Sequence, residues 1–168
     1  LRELRASTLS RGLNITVEAL ELWIDQEMTK VQAVARDPEL RRNTQQLVEL
    51  SSAAASGQAL ISSAEQAKIQ EQLLADFGEH VKYAIWDRRL ITIADWSRDT
   101  NVLGAGVSSY GAALLTRVLS GETVMEMLGN QQTITKDYRH AANKPTIGVL
   151  APIRDQQDQV MAAILVYG

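Results

Sequence analysis

The hydrophobic periodicity of this chain changes once, near Val81, and the change divides it into a helical half and a sheet half. Upstream, Leu13, Val17, Leu20, Ile24, Met28, Val31 and Ala35 recur at three-to-four spacing. That spacing lays them on one stripe of a long amphipathic helix. Asp37-Pro38 punctuates it, because Pro donates no interior helix bond yet is favoured at the first position of a new helix capped by Asp. A second helix is expected through about Leu50. The small and polar stretch 51–59 reads as a loop. Ser62 or Ser63 then opens a third helix, with Glu65 or Gln66 as a capping-box partner, and Gly78 is placed to end it.

Downstream, Tyr83-Ala84-Ile85-Trp86-Asp87 and Leu90-Ile91-Thr92-Ile93-Ala94-Asp95-Trp96 are rich in β-branched and aromatic residues, the texture of a β-hairpin. Gly104, Gly106 and Gly111 flank a Ser108-Ser109-Tyr110 loop that leads into a short helix near Ala112 to Leu119, closed by Ser120-Gly121. A strand is expected at Thr123 to Leu128, and Gln132 to Thr135 read as a possible sheet extension. Thr146 to Arg154 and Gln159 to Val166 form two more strands around the polar turn Asp155-Gln156-Gln157-Asp158. Neither that turn nor the Asp87-Arg88-Arg89-Leu90 corner contains a glycine. The expected fold class is α+β: a long N-terminal helix and helical segments, then an antiparallel sheet of about five strands with a short helix.

With 168 residues the chain is long enough for one core and short for two. A formal charge of -3, with no basic run beyond Arg41-Arg42 or Arg88-Arg89, lacks the footprint of a nucleic-acid binder. The absence of cysteine excludes a disulfide framework and a thiol nucleophile. No run of about eighteen apolar residues exists to span a bilayer. The charged start Leu1-Arg2-Glu3-Leu4-Arg5 is no signal peptide, and the chain reads as a piece of a longer protein.

The order of elements, together with Trp23-Ile24, Ala33-Val34-Ala35-Arg36-Asp37-Pro38, the Tyr83-to-Asp87 strand into its corner and Leu150-Ala151-Pro152-Ile153-Arg154-Asp155, resembles a Cache domain, the extracellular PAS-like sensor of bacterial receptors. The resemblance covers nearly the whole chain. It implies residues 1–80 as helical stalk and cap, and residues 81–168 as sensor sheet. It also implies a periplasmic or extracellular ectodomain, tethered by transmembrane segments outside this chain and feeding a kinase, cyclase or chemotaxis module. The Arg-x-Trp-Tyr type motif of amino-acid-binding members is absent, so the ligand class stays open.

A pocket for a small organic ligand needs apolar walls and a few fixed polar groups. Trp96, Ser108, Tyr110, Tyr138 and Arg139 offer that combination. Arg117 offers a guanidinium for a carboxylate, and the resemblance places ligand contacts near Asp155. Packing or surface exposure competes at each position, and Asp at turns commonly bonds its own backbone. Gly104-Ala105-Gly106-Val107-Ser108-Ser109 approaches a dinucleotide fingerprint but has Ser at the third glycine and follows a hairpin. His80 and His140 are the only histidines and lack a Glu-x-x-His companion, so no metal and no cofactor is expected. The reading is a non-enzymatic sensor, with a homodimer through the first helix as an expected partner. The alternatives are a cytoplasmic PAS-like or GAF-like regulatory or dimerisation module, and a small hydrolase using Ser108 or Ser109 with His140 and an Asp.

Overall fold

The computed structural model describes residues 16–54, 57–128 and 146–167. The first helix, α1 (Val17–Arg36), begins at Thr16, whose side chain accepts the Ala19 N–H at 3.1 Å. Its stripe Leu20, Ile24, Val31, Val34 and Ala35 is buried. The break falls at Asp37. The Asp37 carboxylate accepts the N–H groups of Glu39 and Leu40 at 2.9 and 3.2 Å, starting α2 (Pro38–Ala54) with Pro38 at its first position.

Helix occupies much of the expected loop 51–59, since α2 runs to Ala54 and α3 (Gly57–Ser62) starts at Gly57. Small residues serve close packing here. Ser51 is wholly buried and donates to the Asp87 carboxylate, while a Cβ on Gly57 would lie 2.5 Å from the Leu103 carbonyl oxygen. Helix α4 (Ala64–Phe77) starts after Ser63, but without the expected capping box. The Ser63 hydroxyl donates to the Leu60 carbonyl, and Gln66 Nε2 donates to the Ile93 carbonyl at 2.7 Å, tying α4 to the sheet. Gly78 ends α4 with φ 98°.

The strands are β1 (Lys82–Asp87), β2 (Thr92–Asp95), β3 (Val124–Leu128), β4 (Thr146–Arg154) and β5 (Val160–Tyr167), in the antiparallel order β2-β1-β5-β4-β3. Asp87 organises the corner after β1: its carboxylate accepts from the Arg89 and Ile91 N–H groups at 2.9 and 3.0 Å. Leu90 takes φ 65° where a glycine would be easier, and Asp158 takes φ 63° in the β4–β5 turn. The short helix α5 (Ser109–Leu119) starts earlier than expected, because Ser108 is its N-cap. Ser109 and Tyr110 are thus its first turn and not a loop.

Alternation assigns the two faces of the sheet. Tyr83, Ile85, Ile164, Val149 and Ala151 pack with the helices of the first half. Ala84, Trp86, Ala163, Leu165 and Leu150 pack with Leu114, Leu115 and Val118 of α5. Covered on both sides, β5 is buried from Val160 through Val166 and reads as an unbroken apolar run. Among the described residues no helix is long and apolar enough to cross a membrane. The expected strand at Gln132 to Thr135 lies outside the described residues.

Candidate ligand-binding face

The face under α5 is built from three directions. Strand register sets Trp86 beside Ala163 of β5, and Ala163 in turn beside Pro152 of β4. The small alanine leaves the indole the largest side chain of that face. Above it, α5 contributes Leu114, Leu115 and Val118, while Val107, Tyr110 and Tyr167 are half-buried at the margin. The helix is held in place by its cap, the Ser108 hydroxyl accepting the Gly111 N–H at 3.0 Å.

Of the sequence candidates, Ser108 and Tyr110 come together in the first turn of α5. Trp96 packs with the cluster on the helical side of the sheet, although its Nε1 donates to the Tyr167 hydroxyl at 3.1 Å and the Lys82 ammonium lies 5.1 Å from its ring centroid. Arg117 stands half-exposed and pairs with Glu122 at 2.9 Å. Asp155 sits in the β4–β5 turn, where its carboxylate accepts from the Gln157 and Gln159 N–H groups and it borders a hollow of about 780 Å³. The structure therefore does not bring Arg117 or Asp155 to Ser108 and Tyr110. Tyr138, Arg139 and His140 lie outside the described residues. His80 is exposed, and no group of three or more possible metal ligands occurs among the described residues.

Sequence reasoning did not select Trp86 as a ligand contact. It is 1% exposed, and its indole Nε1 has no hydrogen-bond partner. A buried N–H without an acceptor is a donor whose desolvation is uncompensated. The signal in sequence was an indole in the strand entering the corner, which alternation alone does not assign to a face. Across the sheet, the Tyr83 hydroxyl is likewise buried without a partner. Burial pushes the Tyr83 phenol well above its ordinary range; Arg98 opposes the shift and Asp95 adds to it.

No protein-family model and no curated protein matches the chain. Solved structures do. The sensor domain of the V. cholerae histidine kinase DctB superposes with TM-score 0.55 at 12% identity, over 97% of this chain and 57% of that one.

The chain shares the fold of that sensor domain.

The E. coli DcuS sensor domain matches at TM-score 0.48 and 14% identity, over 81% of this chain and 79% of that one. A sensory box sensor histidine kinase from Vibrio cholerae matches at 0.39 and 10%, over 62% and 91%. In this fold the short α5 covers one face of the sheet and the long α1 runs along the other.

Proposed function

We propose that this chain is the extracytoplasmic ligand-sensing domain of a transmembrane signalling receptor. Its first 80 residues serve as stalk and cap, and residues 81–168 as the sensor sheet. The observation that carries this is the Trp86 indole N–H, buried under α5 with no acceptor. A ligand presenting a carbonyl or carboxylate oxygen would satisfy it. Ser108, Tyr110, Trp96, Arg117, Tyr138, Arg139 and Asp155 are the further residues to be tested for contact. Signalling then needs no chemistry. A ligand gripped better by one arrangement of α5 and α1 raises the population of that arrangement, and α1 carries the difference towards the membrane. A homodimer through the exposed face of α1 would couple two such helices.

The test is a thermal-shift screen against organic acids, amino acids, amines and purines, since a ligand bound only by the native state raises the melting temperature. Any ligand found should bind Trp86→Phe about tenfold more weakly, the loss of one well-made hydrogen bond. The variant itself should be less stable by about 1–2 kcal/mol, because the space left by the smaller ring under α5 outweighs the relief of a donor without a partner. Ligand affinity unchanged in Trp86→Phe would remove this site. Absence of transmembrane segments on both sides of the full-length gene would favour the cytoplasmic regulatory module instead.

A further inference from the structure

A hollow of about 550 Å³ opens at the end of the sheet where β4 turns towards β5, lined by none of the side chains in the cluster under α5. Three arginines from three elements line it: Arg36 at the end of α1, Arg41 near the start of α2 and Arg154 at the end of β4. Two of them are fixed by carbonyl oxygens. Arg41 donates from Nε to the Arg154 carbonyl at 2.8 Å and from Nη2 to the Asp155 carbonyl, and Arg154 donates from Nη1 to the Asp158 carbonyl at 2.8 Å. A carbonyl holds a guanidinium in place without cancelling its charge.

The one carboxylate among the lining residues, Asp158, is 88% exposed and reaches Arg154 only at 4.0 Å. An ion pair that open to water neutralises little. Arg36 forms no ion pair with the described residues. Gly121, at φ 112°, makes room: a Cβ there would lie 3.2 Å from Arg154 Nη2. The result is a concave, preorganised concentration of positive charge in a chain whose net charge is -3.

We propose that this hollow binds a small oxyanion, carboxylate or phosphate, held by Arg36, Arg41 and Arg154. Planar guanidinium groups match either anion with paired N–H donors. The site stands apart from the ligand face under α5, so the two proposals fail or survive separately.

The test is titration calorimetry of the whole chain with inorganic phosphate and, separately, acetate, with chloride holding the ionic strength constant. Saturable binding of either anion is expected, and the tighter one identifies the oxyanion class. Arg36→Gln and Arg154→Gln should each weaken it about tenfold, whereas Arg42→Gln, in the neighbouring hollow, should leave it within about twofold. Should Arg154→Gln disturb the turn and unfold, Arg36→Gln decides alone, because that side chain anchors nothing. Failure of both anions to saturate, or an affinity that survives Arg36→Gln, overturns the proposal.

Discussion

At Gly57 two residue-scale effects oppose each other. Alanine is the better helix former by about 1 kcal/mol, which argues that Gly57→Ala should stabilise α3. Its Cβ would meet the Leu103 carbonyl oxygen at 2.5 Å, however, and that contact is backbone that cannot rotate away. Overpacking of this kind costs about 1–3 kcal/mol. The expected outcome is net destabilisation, read as a lower urea midpoint at unchanged slope. The same position shows why 51–59 misled sequence reasoning. Small residues suit loops and also suit close approach, and one sequence does not say which. Tyr83 is the second residue with a testable consequence. Its folded phenol holds its proton beyond the ordinary range, so above about pH 10 the unfolded chain loses a proton that the native state keeps. This contribution to stability is complete below about pH 10 and is lost as the pH climbs from there towards the raised value. Unfolding free energy should therefore fall with alkalinity, and Tyr83→Phe should flatten that fall while leaving neutral stability unchanged or higher, since the hydroxyl has no partner. A slope equal to the parent's in the Phe variant would contradict it.

Elements were legible where one periodicity dominated. The α1 stripe, the Asp37-Pro38 break and the Gly78 stop each rest on a local rule, and each stands in the structure. β5 was legible because a strand covered on both faces is apolar throughout. The start of α5 was misplaced because Ser108 looked like loop chemistry, when serine at an N-cap is also the first signal of a helix. One feature of α1 was not resolved by its stripe. Leu22 is 60% exposed and Trp23 38%, on the side turned from the sheet. If α1 pairs with its twin, Trp23→Glu should convert a dimer to a monomer in sedimentation while changing stability by less than about 0.5 kcal/mol. Identical masses for parent and variant would remove α1 as the contact.

For the whole molecule, fold class followed from the order of periodicities, whereas the site followed only in part. Ser108 and Tyr110 meet because a cap and a first turn are neighbours in sequence. Trp86 reaches the same face through alternation and register, and the three arginines of the second hollow come from positions 36, 41 and 154, a spacing with no local rule behind it. Another long-range arrangement concerns where the chain enters and leaves. Leu20 and Ile24 near the start of α1 pack with Met127 and Ile147, and Gly148 pairs with Tyr167 at the end of β5. Both ends of the described chain thus lie at the same end of the sheet. Tension between Val17 and Tyr167 would therefore peel α1 from β4 one contact after another, as a zipper opens, instead of dragging the whole helix sideways at once. In an optical-tweezers pull the first event should be detachment of α1 at low force, and Leu20→Ala should lower that force again; a single high-force rupture of the entire domain would mean that the helix is loaded along its length.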